Sequence, residues 1–284
     1  MLRPVQLLPV LVTLELFHGL SCGAVKPDGT TTARRQRRVV DGILARDAPW
    51  MCQLGLPGHR GPAFICGCSL ITSRWAVTAA HCIPRNASVM PQVAIGGHRH
   101  RGAASSPAGV PIVLAVRHPN FTSHNIPFEN RHDLALLLLS RDAPQGPRLS
   151  LPGQALSFQE GVVFGWGHVN PRGQPRPALR LREASIPIVS RDRCEMSLRR
   201  PLGEGVFCAG FEEGYRSDTC AGDSGGPFVV FLRGEEVLVG VVSWGEGCAR
   251  PGKFGVYTKV EKYVRWITEV LQTTEVLQTT KVGS

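Results

Sequence analysis

Ser224 stands in the stretch Asp218–Pro227, DTCAGDSGGP, behind an aspartate and ahead of two glycines. Asp, Ser and Gly are turn-formers, so a glycine-rich turn is the plain reading of this segment. A serine nucleophile needs more: a base to take its proton, a group that orients the base, and donors for the oxyanion. The chain holds candidates in separate places. TAAHC at 78–82 sets His81 beside Cys82, and HDLALL at 132–137 sets Asp133 at the head of an apolar run. Taken singly these residues mean little, because most histidines are not bases and an aspartate at a strand end usually caps or turns the chain. Together they would support acyl transfer.

The elements that must carry them are strands. After residue 39, short β-like runs alternate with turn clusters: PWMCQLGL, FICGCSLIT, QVAIGG, PIVLAV, DLALLLLS, GVVFGWG, ASIPIV, PFVVFL, VLVGVVSWG and GVYTKV. With 32 Gly and 22 Pro in 284 residues, turns are many, which favours barrels or sandwiches over a helical bundle. A single helix is predicted, in KVEKYVRWITEVLQTTEVLQTT, where Val260, Val264, Ile267 and Leu271 recur at three- and four-residue steps. The hexapeptide EVLQTT repeats at 269–274 and 275–280, too short a duplication for a solenoid, and 269–284 reads as a C-terminal tail. Residues 39–268 contain no long polar linker, so two halves must pack tightly.

Net charge is +10, but residues 1–38 carry six Lys or Arg against two acids, so the rest holds 26 against 20. That balance is mildly basic. With no aromatic-interleaved basic stripe, nothing argues for nucleic acid. Residues 1–22 read as a secretory signal: one arginine, an apolar run broken by Pro9 and Glu15, then small residues. The run is shorter than the ~18–20 apolar residues a bilayer span needs. The sequons at Asn86 and Asn120 fit a secreted, glycosylated protein. Residues 23–38 end in ARRQRR just before VVDG, where a cleavable pro-segment would stop, and the basic spacing up to Arg38 resembles a site for furin-type convertases.

In the order His, Asp, Ser, and in the contexts VVDG, APW, LITSRWAVTAAHC, DLALL, GWG, CAG, DTCAGDSGGP, SWGEGC and GVYTKV, the chain resembles the chymotrypsin/trypsin family of serine proteases over essentially all of 39–268. The resemblance implies an all-β fold of two antiparallel six-stranded β-barrels, about 39–150 and 151–268, with a C-terminal helix. It implies His81 as general base and acid, Asp133 as its orienting carboxylate and Ser224 as nucleophile, roles for which this family is the usual template. The N–H groups of Gly222 and Ser224 would form the oxyanion hole. Asp223 would meet the α-amino group of Val39, freed by cleavage after Arg38. Asp218 would floor a pocket for Arg or Lys, with Thr219, Ser243, Trp244, Gly245 and Gly255 completing the substrate site. Thr219 stands where Ser or Ala is usual, and Ala221 where a longer polar side chain often flanks the entrance.

Nine cysteines in a secreted chain imply a disulfide framework with one left over. By resemblance the pairs are Cys66–Cys82, Cys194–Cys208 and Cys220–Cys248. Cys22 lies near the signal cleavage point. Cys52 and Cys68 are equidistant from Arg60 in a turn-rich segment, so a hairpin would bring them face to face as a cross-strand disulfide or as two buried thiols. Gly161 and Val230 replace both halves of a bridge common in relatives. No metal site is expected: the family's calcium loop lacks its acids in IGGHRHRG, and hard cations want carboxylates. Phe254 stands where an aromatic accompanies a sodium site in some relatives. No cofactor is implied. Expected partners are protein or peptide substrates with Arg or Lys at the cleaved bond, an activating convertase and protein inhibitors. A catalytically weak or inactive homologue acting as a binding protein is the alternative, and a non-catalytic one would normally have lost a member of the triad.

Overall fold

The computed structural model describes residues 42–56, 63–84, 91–95, 109–123, 130–143, 158–167, 178–212, 219, 222–246 and 250–282. Fifteen strands appear in chain order among them: β1 (Ile43–Leu44), β2 (Met51–Leu56), β3 (Ala63–Leu70), β4 (Trp75–Thr78), β5 (Gln92–Ile95), β6 (Val110–Arg117), β7 (Thr122–Ser123), β8 (Asn130–Arg131), β9 (Ala135–Leu139), β10 (Glu160–Gly165), β11 (Arg182–Val189), β12 (Val206–Ala209), β13 (Pro227–Leu232), β14 (Glu235–Gly245) and β15 (Gly255–Lys259). The first barrel closes in the order β2-β3-β4-β9-β6-β5. The second runs β11-β10-β13-β14-β15-β12 and closes through β11–β12. All pairings are antiparallel. This is the chymotrypsin-like fold of two six-stranded barrels.

Burial explains why several strands lack alternation. All five residues of β9, ALLLL, are buried, so the strand is apolar on both faces. A strand enclosed on both sides must read that way. One core joins the barrels, since Trp50, Leu54 and Leu136 from the first share a cluster with Phe164, Val229 and Leu238 from the second. Trp50 is fully buried, meets Phe164 edge-on at 5.0 Å and donates its Nε1–H to Glu236 across the barrels. The second barrel has its own aromatic filling, where Phe207, Phe228 and Tyr257 stand 5.0–5.3 Å apart. Gly161 makes room for it: a Cβ there would lie 2.0 Å from the Phe228 ring.

Two features depart from the sequence expectation. A second helix exists, α1 (Arg191–Leu198), where RDRCEMSL has no apolar period; the Cys194–Cys208 disulfide ties it to β12 instead. The expected C-terminal helix is α2 (Val264–Val282), and the repeated hexapeptide lies within it. A short 3-10 helix (Val260–Tyr263) leads into α2, and the buried Val260, Tyr263 and Ile267 seat the pair on the core that joins the barrels. Finally, β1 precedes the first barrel in the chain but pairs with β11 of the second, Ile43 opposite Glu183 and Leu44 opposite Arg182. Arg46 locks that junction, with its backbone N–H and Nε–H both donating to Glu183. No helix among the described residues is long and apolar enough to cross a membrane. Residues 1–38, expected to be a signal and a pro-segment, lie outside the described residues.

Candidate active site

His81 sits in a short 3-10 helix, Ala80–Cys82, directly after β4. Ala79 and Ala80 are fully buried, and the Cys66–Cys82 disulfide ties this turn to β3. Asp133 grips His81 twice: the backbone N–H donates to Oδ1 at 2.9 Å, and Nδ1 lies 2.7 Å from Oδ2. With Nδ1–H donating to the carboxylate, Nε2 keeps its lone pair and is the basic nitrogen. The Asp133 side chain is 1% exposed, and a buried carboxylate needs its lone pairs satisfied. A further donor comes from the second barrel, the Ser243 hydroxyl. Thr258 Oγ1–H donates to the Asp133 carbonyl at 2.9 Å, so both barrels fix this residue.

Ser224 lies in the turn that opens β13. Its carbonyl accepts the Gly67 N–H of β3 at 2.7 Å, while Gly225 N–H donates to Val242 of β14 at 2.8 Å. The two glycines after the serine have a physical reason. Gly225 has φ +77°, and a Cβ there would stand 2.2 Å from Thr78 Oγ1 and 2.5 Å from the Gly67 carbonyl. At Gly226 a Cβ would meet the Asp223 carbonyl at 2.8 Å. The Ser224 turn is therefore pressed against the first barrel closely enough at Gly225 to exclude a side chain. Gly222, with φ +98°, holds a conformation that only glycine adopts without strain.

Asp223 is 2% exposed, and its Oδ1 accepts the Gly167 N–H at 2.8 Å. Its carboxylate fills a slot cut by two glycines of the GWG motif. A Cβ on Gly165 would lie 1.9 Å from Oδ1, and one on Gly167 would lie 2.3 Å from Oδ2. On the other side of the turn, Thr219 is buried and its hydroxyl lies 3.2 Å from that of Tyr257. Gly255 abuts both, since a Cβ there would be 3.1 Å from each hydroxyl oxygen. Gly245 pairs with Gly255 across β14 and β15. Ser243 is buried, and the neighbouring Trp244 is half-exposed with the Arg200 guanidinium 4.5 Å from its ring centre.

Cys52 and Cys68, directly opposite on β2 and β3, are both fully buried and joined as a disulfide. The only His/Cys group with metal-like spacing among the described residues is Cys66, His81 and Cys82, and its two sulfurs are bonded to each other, leaving no thiolate ligand. Phe254 is buried beside Cys194 and Val256. Asn120 is exposed in the turn before β7. Arg38, Val39, Asn86, Asp218, Cys220, Ala221, Cys248 and Cys22 lie outside the described residues.

Other contributors carried no sequence signal. Arg117, at the end of β6, donates Nη2–H to the carbonyls of Ile83 (2.7 Å) and Pro84, the two residues after Cys82. His118 stacks on His132 with ring centres 5.0 Å apart, and Tyr263 and Trp266 close over its edges. Burial, and then the neighbouring His132, hold the His118 pKa below its ordinary 6.5. Burial pushes the Tyr263 phenol up to about 12, with the Asp133 charge adding to it.

Comparison with known proteins bears on this arrangement. The Trypsin family model matches residues 39–267. The chain is 36% identical over 244 residues to vitamin K-dependent protein C of Mus musculus, covering 81% of this chain and 51% of that protein. It is 36% identical over 238 residues to coagulation factor IX of Cavia porcellus, covering 81% of this chain and 80% of that protein. It spans about half the length of its protein C relatives from mouse and rat. With two barrels, a histidine held by a buried aspartate, and a family match across all the strands that position them, the chain belongs to the trypsin family of serine proteases.

Proposed function

We propose that this protein is a secreted serine endopeptidase, made as a zymogen activated by cleavage after Arg38, that hydrolyses peptide bonds after Arg or Lys. The observation that carries the reading is the double grip of Asp133 on His81. It holds the imidazole in the tautomer a base requires. Ser224 Oγ attacks the scissile carbonyl carbon, and its proton passes to His81 Nε2. The negative oxygen of the tetrahedral intermediate is held by the N–H groups of Gly222 and Ser224; one such donor is worth about 10²–10³ in rate in related chemistry. Collapse breaks the C–N bond as the imidazolium returns its proton to the leaving amine. Water then repeats the sequence on the acyl-enzyme, releasing the acid and restoring the serine.

The activation reading rests on the slot around Asp223. A buried carboxylate is held in place by a paired cation, and breaking such a pair costs about 3–5 kcal/mol. The Val39 amine freed after Arg38 supplies that cation, and its arrival sets the Gly222–Ser224 backbone. The choice of Arg or Lys rests on Asp218, through a charge-assisted pair with the substrate side chain. Thr219, Ser243, Trp244, Gly245 and Gly255 shape the surrounding walls. Glycans on Asn86 and Asn120, a convertase acting at 35–38 and protein inhibitors complete the expected partners.

The test is to cleave the purified chain after Arg38, confirm Val39 as the new N-terminus, and measure turnover of arginyl and lysyl peptide amides. Turnover with covalent capture of a fluorophosphonate at Ser224, both lost in Ser224→Ala, supports the reading. A correctly folded, correctly trimmed protein inert toward both substrates and probe refutes it in favour of a binding role.

A further inference from the structure

The turn that carries Asp133 is backed by two histidines and a tyrosine in mutual contact. Asp133 sits between His132, whose backbone is left-handed (φ +50°), and Leu134, whose N–H returns to the His132 carbonyl at 2.8 Å. A non-glycine residue in that conformation costs about 1–3 kcal/mol and persists only where its surroundings hold it. Here they do. The Leu134 carbonyl accepts the His118 N–H at 2.9 Å, and the His118 ring stacks on the His132 ring, with 5.0 Å between centres and 11° between planes. Tyr263 and Trp266 stand edge-on to His118 at 5.1 and 4.9 Å.

Each histidine spends its Nδ1 as an acceptor. A backbone N–H can only donate, so the 3.3 Å bond from Asn120 N–H requires a bare Nδ1 on His118. His132 Nδ1 lies 3.2 Å from the Tyr263 hydroxyl, and that phenol, pushed up to about 12, keeps its proton and donates it. The hydroxyl is fixed from behind, since a Cβ on Gly205 would lie 2.4 Å from its oxygen. Cations on the adjoining elements are engaged elsewhere. Arg117 donates to the Ile83 and Pro84 carbonyls, Lys259 pairs with Glu261, Lys262 lies 4.0 Å from Glu204, and Arg265 bonds Glu269. Arg131 is exposed at the end of β8. Among the described residues, the acid whose charge reaches the cluster is Asp133, through Tyr263. A proton arriving on either Nδ1 leaves Asn120 N–H or Tyr263 O–H facing another donor. It also puts a cation against the neighbouring ring, which disfavours a second one.

From this arrangement we propose that His118, His132 and Tyr263 are positioning residues for Asp133 and that the stacked pair is a proton-operated brake: a proton on the pair relaxes the His132 turn and opposes the Asp133 charge, so His81 becomes a weaker base. The inference rests on the protease reading above and adds a regulation of its site. Neither His118 nor His132 takes part in the proton transfers of the reaction itself.

The experiment uses the chain cleaved after Arg38 and an arginyl peptide amide, with kcat/KM followed from about pH 8 to about pH 5. Each protein is normalised to its own value at the alkaline end and to active sites titrated with a fluorophosphonate, so partial folding is not read as loss. His81 alone gives an acid limb of about one decade per pH unit. Wild type should add a further loss of about three- to ten-fold below pH 6.5, the side to which burial and then His132 move the His118 titration. The double variant His118→Gln, His132→Asn, whose amide oxygens still accept but do not titrate, should lack that added loss. Tyr263→Phe, which frees His132 Nδ1 for a proton, should move it to higher pH. The proton between His81 Nδ1 and Asp133, followed by NMR, should pass through the same added step in wild type and not in the double variant, whether or not the protein cleaves anything. A wild-type limb with no added loss, or one unchanged in both the double variant and Tyr263→Phe, overturns the inference and leaves the protease reading intact. Absence of cleavage by the trimmed protein overturns the protease reading, and a missing NMR step then overturns the inference as well.

Discussion

Gly165→Ala tests the slot that holds Asp223. The new Cβ would lie 1.9 Å from Asp223 Oδ1, against the 3.0 Å that real Cβ contacts essentially never undercut. The carboxylate must move by about 1 Å or more, and the 2.8 Å bond from Gly167 N–H to Oδ1 cannot survive the move. A hydrogen bond to a charged group contributes about 1.5–3 kcal/mol. Since 1.4 kcal/mol is tenfold in an equilibrium, the fraction of molecules with an assembled Gly222–Ser224 backbone should fall by about ten-fold or more. The assay is an active-site titration on protein whose Val39 terminus has been confirmed, alongside kcat/KM on an arginyl amide. Gly167→Ala, with its Cβ 2.3 Å from Oδ2, should behave alike. A trimmed Gly165→Ala protein with a full titre and unchanged kcat/KM would refute the claim that the position of Asp223 sets the site.

Gly225→Ala combines a positive φ with contacts of 2.2 Å to Thr78 Oγ1 and 2.5 Å to the Gly67 carbonyl, so denaturant unfolding should show a loss of about 2–4 kcal/mol. Arg117→Met removes the donors that hold the Ile83 and Pro84 carbonyls behind His81; steady-state kinetics should show kcat lowered by about ten-fold with KM little changed. Replacing Cys52 and Cys68 together by alanine opens a covalent loop with a sequence separation of 16, and should cost about 3 kcal/mol in chemical denaturation, with a further cavity penalty at these buried sites. For His118 the folded protein resists protonation, so as pH falls below about 6.5 the unfolded chain binds the extra proton and stability drops. Unfolding curves across that range should slope less in His118→Gln than in wild type.

The strands that sequence reading found are those long enough to show a pattern: DLALLLLS became β9 and PFVVFL became β13. β1, β7 and β8 have two residues each, too few for any period. Helix α1 was missed because its eight residues are mostly polar and only Cys194 and Leu198 are buried. In the candidate site, the motifs singled out residues, but the structural reasons for the residue types were not legible. DSGGP reads locally as a turn; its first glycine, Gly225, is required by Thr78 and Gly67 on the other barrel, and its second, Gly226, by the Asp223 carbonyl. Likewise the glycines of GWG make space for a carboxylate 56 residues beyond Gly167. Arg117 and Arg200 resemble any surface arginine until the fold supplies the carbonyls and the ring that they meet.

On the proposed activation by cleavage after Arg38, the pairing of β1 with β11 bears on how the freed terminus docks. The stretch between the proposed new terminus and Ile43 is four residues, a reach of at most ~14 Å. Arg46 anchors it on Glu183 and reaches over Phe164, the neighbour of Gly165 in the Asp223 slot. On the activation reading, the liberated amine is a ligand on a short leash, and its effective concentration at the carboxylate is of millimolar order or above. Once the bond after Arg38 is cut, that docking would be unimolecular and independent of enzyme dilution, and free amines in solution would have to match the local concentration to compete.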